Sequence, residues 1–346
     1  MTIGDLRQKQ ALPLAQKIIA SKQRIKEWYE YWDGEVAVSF SGGKDSTVLL
    51  HLVRTMYPDV MGVFSDTGLE FPELRKFAMS ERNITVVKPR LAFPNVIKKY
   101  GYPIISKQQS RRVHDLQFAS DKNKASVNLR LTGYASDGRY CPTMRLSKKW
   151  QYLKDADFVV GDSCCNQMKK NPLKKFYHTA GLHPMTAVMA EESNKREQAW
   201  KMHGCNAFDL KDPISTPIAF WTEQDVLQYI KRFNLPYASV YGDLIEMPDG
   251  KLKFTGCQRT GCVFCGFGCH LEKEPNRFQN LAVTHPQLYD YCMRGGKYDE
   301  SGKWVPDKGL GMAKVLDYIN VKWWNDGDEG KRDDYREKYK SKENEQ

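Results

Sequence analysis

Apolar side chains at Ile18, Ile19, Ile25, Trp28 and Tyr29 recur at roughly helical spacing with basic residues between them, and predict a lead-in helix from about Leu14 to Trp32. The β-rich run Glu35 to Phe40 then meets a Ser/Gly loop and a helical pattern from Ser46 to Met56, the start of a βα unit. A second apolar run, Val60 to Phe64, ends in Ser65-Asp66-Thr67-Gly68, and a helical pattern from Glu73 to Glu81 and a strand at Ile84 to Val87 follow. Two further buried-strand patterns stand at Asp157 to Gly161 and Met185 to Met189. This alternation predicts an α/β fold with a parallel, twisted sheet of about five strands covered by helices on both faces.

Residues 101 to 145 are polar and strand-poor, with Arg111-Arg112 and a Gly/Asp/Ser-rich piece at Gly133 to Arg139, and predict a loop or flap over the site. An amphipathic helix is expected from Trp221 to Phe233, capped by Thr222 with Asp225 at its third position. The expected organisation is a lead-in over residues 1–33, a nucleotide-binding α/β domain over 34–215, a smaller helical, cysteine-rich region over 216–325 and a charged tail over 326–346.

The sequence carries 53 Lys+Arg against 42 Asp+Glu, a net +11 that favours anionic partners such as nucleotides, tRNA or DNA. The tail from Asp326 to Gln346 lacks aliphatic residues, and is expected to carry much of this basic excess on a solvated segment. No apolar run reaches the about 20 residues of a membrane span or forms a signal peptide, so a cytoplasmic protein is expected. In that reducing compartment nine cysteines are expected to be thiols or metal ligands.

Gly42 and Gly43 let the backbone approach an anion, and the helix that follows offers its unpaired N–H groups and positive dipole end. Lys44 adds a point charge, and Ser41, Ser46 and Thr47 add hydroxyl donors. The spacing is not that of a Walker A loop.

Ser41-Gly42-Gly43-Lys44-Asp45-Ser46 after a strand resembles the PP-loop of the adenine-nucleotide α-hydrolase superfamily, the N-type ATP pyrophosphatases. Ser65-Asp66-Thr67-Gly68, followed by Glu70-Phe71-Pro72-Glu73, resembles the second motif of its phosphoadenylyl-sulfate reductase branch. Glu192-Ser193 with Arg196 is similar to that branch's Glu-Ser-x-x-Arg segment, and Pro217 to Tyr237 to its closing segment. The resemblance spans residues 35 to 270, and implies a nucleotide site of Ser39, residues 41–47, Asp66, Thr67, Gly68, Glu192 and Arg196. Met189 stands where the family commonly has an Arg before Glu-Ser. Without the resemblance, Glu192 and Arg196 read as an i, i+4 helix pair.

Cys257, Cys262, Cys265 and Cys269 lie within 13 residues among glycines, a density that suits Zn²⁺ or an iron–sulfur cluster. Cys164-Cys165 competes for the role. It resembles the paired cysteines of adenylyl-sulfate reductases, which join a later Cys-x-x-Cys, here Cys262 and Cys265, on a [4Fe-4S] cluster. Cys141, Cys205 and Cys292 read as ordinary thiols. Leu271 to Phe278 reads as a capped helix start.

Reductases of this branch attack with a cysteine in a C-terminal Glu-Cys-Gly-Leu-His segment, which the 346 residues do not contain. Their loops also commonly lack the Lys that this loop keeps. The leading expectation is therefore an ATP pyrophosphatase that adenylates a nucleic acid or another acceptor for sulfur transfer. Lys44, Asp45 and Ser46 would be its catalytic residues, Asp45 or Asp66 would hold Mg²⁺, and the sulfur donor would be a protein such as a cysteine desulfurase. Two alternatives stand beside it: a reductase of phosphoadenylyl or adenylyl sulfate, and a non-catalytic nucleotide-binding regulator with a structural metal site.

Overall fold

Val36–Phe40, almost wholly buried, is flanked in parallel by Gly62–Ser65 on one side and His183–Thr186 on the other. In this computed structural model, which describes residues 1–340, these strands belong to a six-stranded sheet. Its order is Ile84–Val87, Gly62–Ser65, Val36–Phe40, His183–Thr186, Ile214–Ser215, Asn206–Ala207, and all neighbours are parallel except the last pair. The chain thus has the mixed α/β architecture its apolar runs predict.

Two expected strands differ. Asp157 to Gly161 is not in this sheet, and only Val160 makes an isolated bridge, to Tyr102. The strand expected at Met185 to Met189 begins two residues earlier, because Glu35 and its successors pair with the backbone from His183. Two-residue strands at 206–207 and 214–215 complete the edge instead.

Two compact units divide the chain. One is built from Met1–Pro89 and Lys169–Cys262, the other from Arg90–Met168 and Val263–Gln346. They interleave along the sequence, whereas the sequence reading cuts it at residues 33, 215 and 325.

The first unit holds the sheet. The helix Leu14–Tyr31 buries Ile25 and Trp28, and Lys44–Arg54 buries Val48, Leu49, Leu52 and Val53. The helix Glu223–Phe233 is opened by Thr222 and Asp225 in a reciprocal capping box, as its sequence predicts. Against this core, burial pushes the His51 imidazole below its ordinary 6.5, and the Lys22 charge adds to the effect. His183 is lowered by burial as well. The unfolded chain then binds more protons below that value, so the histidine contribution to stability is complete above it and is lost as pH falls. Urea midpoints are expected to fall between about pH 7.5 and pH 5.5, and less steeply in His51→Gln. Parallel curves for the two proteins would refute this.

In the second unit, Gly266–Phe267 pairs in parallel with Ile104–Ile105, and Lys297–Tyr298 pairs antiparallel with Trp304–Val305. Three of its buried rings have their polar ends satisfied by carbonyls. Trp304 donates to the Gly311 carbonyl, Tyr102 to that of Leu310 and Tyr289 to that of Trp323. The expected loop at 101–145 is instead largely helical, Lys107–Gln117 and Lys124–Thr132. Asn276 caps the helix Arg277–Thr284, the capped start read from the sequence.

The tail also departs from expectation. Residues 326–346 hold six Lys+Arg against eight Asp+Glu, so the basic excess lies elsewhere. Glu329–Lys340 is a helix that buries Tyr335 and Tyr339, and residues 341–346 lie outside the described part. Among the described residues no helix is long and apolar enough to cross a membrane.

Candidate functional site

The turn from Val36–Phe40 into the helix Lys44–Arg54 is built around its own hydroxyls. Ser46 Oγ lies 3.0 Å from Ser41 Oγ and donates to the Gly43 carbonyl at 2.9 Å, where Thr47 Oγ1 also donates at 3.1 Å. The Gly43 amide donates to Ser41 Oγ. Gly42 has φ +72°, and a Cβ there would stand 2.9 Å from the Leu74 carbonyl oxygen, so glycine is required on both counts. No side chain caps the helix, so its positive dipole end stands at the loop.

Residues distant in sequence complete this cradle. The Lys44 amide donates to Tyr241 Oη at 3.1 Å, and Tyr241 Oη is 2.8 Å from Thr260 Oγ1. Lys44 itself is buried, with Nζ 3.2 Å from Asp45 Oδ1 and 3.4 Å from Glu223 Oε1. Burial opposes its charge, but Asp45, Tyr241 and Glu223 outweigh the penalty and raise its pKa, so it stays cationic at neutral pH. Asp45 Oδ1, although close to Lys44, is buried with no aligned hydrogen bond. Tyr241→Phe should loosen the loop, weakening nucleotide binding by about fivefold for the loss of roughly 1 kcal/mol of hydrogen bonding. Titration calorimetry checks this, and unchanged affinity would sever Tyr241 from the site.

Glu192 and Arg196 form an ion pair, as the i, i+4 reading requires. They also border the loop. Burial, followed by the Arg259 cation, pushes the Arg196 guanidinium down, while the Asp45 carboxylate supports it. Lys44, Arg196 and Arg259 thus stand around the cradle beside the carboxylates of Asp45, Glu192 and Glu223. Tyr241, Arg259, Thr260 and Glu223 were not expected from the sequence. No local pattern marks them, apart from the proximity of the 217–237 segment.

Three expected residues have other partners. Ser39 Oγ is 2.7 Å from Tyr177 Oη. Both oxygens of Asp66 accept from Arg75, at 2.8 and 2.9 Å, which holds the carboxyl below its usual range. Asp45, by contrast, is engaged at the loop by Lys44 alone among the described residues, through an ion pair at Oδ1 and a 3.4 Å hydrogen bond at Oδ2. Thr67 donates through its amide and hydroxyl to Glu70, and Gly68 takes φ +71° in the same turn.

Of the six cysteines read as ligands, Cys257 and Cys262 fall in the first unit and Cys164, Cys165, Cys265 and Cys269 in the second. Cys257 Sγ donates to the Arg259 carbonyl and Cys269 Sγ to that of Gly266. Burial pushes the Cys265 thiol up, with Cys165 near enough to add, and pushes Cys269 to about 12. Among the described residues no three His, Cys, Asp or Glu side chains converge as a metal requires. The ligand set read from the spacing is therefore not assembled among the described residues, and no chemistry below passes through a cluster or Zn²⁺. Cys205 is pushed up to about 11 by burial, and Cys292 is wholly buried, in keeping with ordinary thiols.

Residues 35–266, which carry the loop, Asp66, Glu192 and Tyr241, match the family model of the phosphoadenosine phosphosulfate reductase domain. The chain belongs to that family. Within the phosphoadenosine phosphosulfate reductase domain family it is similar to a phosphoadenosine 5'-phosphosulfate reductase of Vibrio campbellii, 23% identical over 63% of this chain and 66% of that one. It is also similar to two uncharacterised proteins of Methanocaldococcus jannaschii. One is 37% identical over 85% of this chain and 58% of its own, the other 27% over 70% and 38%. The chain spans less than two thirds of the length of each of these relatives. The family places this chain in the reductase-like branch of the PP-loop superfamily, the branch its motifs resemble.

Proposed function

We propose that the first unit binds phosphoadenylyl or adenylyl sulfate in the cradle of residues 41–47 and holds it for reduction to sulfite. Family membership over residues 35–266 is the observation that carries this reading, and relatives named for both substrates are similar to this chain. A thiolate of a dithiol reductant of the thioredoxin class attacks the sulfur and the S–O bond to the phosphate breaks. The nucleotide departs with the electron pair, and the reductant's second thiol then releases sulfite as the disulfide forms. In this step Lys44, Arg196 and the positive end of the helix Lys44–Arg54 hold the departing phosphate and stabilise its growing charge.

One observation favours a second reading, in which ATP is cleaved between its α- and β-phosphates to adenylate an acceptor for sulfur transfer. Lys44 is buried and cationic beside Asp45, whose Oδ1 lacks a hydrogen bond, a pair suited to pyrophosphate and Mg²⁺. Asp45 would hold that ion, which neutralises charge on the leaving group.

Product analysis separates the two. Sulfite formed from either adenylyl sulfate with thioredoxin, and no pyrophosphate from ATP with Mg²⁺, is the expected result. Pyrophosphate from ATP with no sulfite would transfer the assignment to the second reading, and binding without either product would leave a regulator. The four-thiolate site stays a proposal of cysteine spacing alone. Stoichiometric iron and acid-labile sulfide in anaerobically purified protein, lost in Cys265→Ser, would support it, and trace amounts would end it.

A further inference from the structure

The net charge of the protein is concentrated in one stretch of the second unit. Residues 107–154 carry eleven Lys and Arg against three Asp and no Glu, a net +8 out of +11. Some of these cations build the fold. Arg112 is buried and donates to the carbonyls of Thr143 and Arg145, and Arg130 donates to Asp115 and to the Met144 carbonyl. These bonds tie the helices Lys107–Gln117 and Lys124–Thr132 to the chain between them and Lys148–Asp155, so the stretch is one ordered body. Lys107, Lys122, Lys124, Lys148 and Lys149 are exposed and form no ion pair among the described residues, although Lys107 lies over the Phe267 ring and Lys149 over that of Trp150.

Aromatic rings are exposed on the same body. Tyr134 and Tyr140 are 51% and 55% exposed, with ring centroids 5.0 Å apart across an antiparallel bridge. Between them the chain turns at Gly138, φ +82°, and the Arg139 side chain is exposed. Phe118, at the end of the first helix, is 51% exposed. A face that served solubility alone would gain nothing from exposing these rings, and would ordinarily mix its lysines with glutamates.

We propose that residues 107–154 bind single-stranded nucleic acid, the lysines meeting phosphates and the Tyr134–Tyr140 hairpin stacking on bases. Unpaired cations supply the sequence-independent attraction. Exposed rings beside them favour unstacked bases over a duplex or an acidic protein, neither of which offers a free ring face. The inference stands apart from the reading of the nucleotide site and holds for either reaction.

Fluorescence anisotropy with labelled single-stranded DNA, single-stranded RNA and duplex DNA tests it on the full chain. Single strands are expected to bind, with log K falling against log salt by roughly 0.7 per phosphate contact between about 50 and 200 mM. The double reversals Lys122→Glu/Lys124→Glu and Lys148→Glu/Lys149→Glu should each weaken binding about tenfold or more and flatten that slope. Tyr134→Ala/Tyr140→Ala should weaken single-strand binding about fivefold or more and leave the slope unchanged. A circular dichroism spectrum and urea midpoint like the parent's show that each variant is folded, and preference for RNA or DNA names the natural source. Three results would overturn the proposal: no binding to any strand at low salt, binding indifferent to the lysine reversals, or polyglutamate competing as well as the oligonucleotides.

Discussion

Replacing Lys44 by alanine is expected to lower turnover by about a hundredfold to a thousandfold, the range lost when a fixed charge or donor aimed at a developing anion is removed. The ammonium is buried and already held by Asp45 and Glu223, so it needs little reorganisation when a phosphate arrives. The effect on folding should be small by comparison. Asp45 and Glu223 keep 26% and 46% of their side-chain surface exposed, so neither is stranded without solvent when Lys44 is lost. Steady-state rates with saturating substrate, beside a urea titration of the same protein, separate the two quantities. A variant that lost stability and activity in parallel would make Lys44 a structural residue.

The largest expected effect on stability lies away from the loop, in Lys17→Met. Lys17 is 2% exposed, and its Nζ stands 2.5 Å from Asp225 Oδ2. The same carboxylate oxygen accepts from the amide and hydroxyl of Thr222, each at 2.7 Å, and so caps the helix Glu223–Phe233. Removing the lysine leaves a buried carboxylate without its counter-charge, which costs about 3 to 5 kcal/mol. Adding Asp225→Asn removes the orphaned charge while keeping an oxygen for the cap, and should recover part of the loss. Urea unfolding of the single and double variants checks this. A single variant within 1 kcal/mol of the parent, roughly the value of an exposed pair, would show that the pair is solvated.

The parts of this molecule written in contiguous residues were legible in its sequence. The run Val36 to Phe40, the glycines at 42 and 43 and the capped start at Thr222 each carry a local pattern with one physical meaning, and each forms as expected. What failed depended on distant partners. Asp157 to Gly161 has the composition of a buried strand, and its Phe158 and Val160 are indeed buried, but in the second unit. Residues 107–132 lack an apolar period because their helices are held by Arg112 and Arg130 reaching carbonyls, a signal no periodicity reports. Tyr241 meets the Lys44 amide across 197 residues. The tail misled because its lysines are conspicuous while its acidic residues outnumber them.

The account turns on whether the loop of residues 41–47 takes the phosphate end of an adenylylated anion. Titration calorimetry of adenylyl sulfate into the protein and into Gly42→Ala tests that most directly, because the added Cβ meets the Leu74 backbone carbonyl and distorts the cradle itself. Saturable one-to-one binding that falls by about a hundredfold in the variant, with the fold intact, is the predicted result. Equal affinity in the two proteins would place the ligand elsewhere and contradict the account.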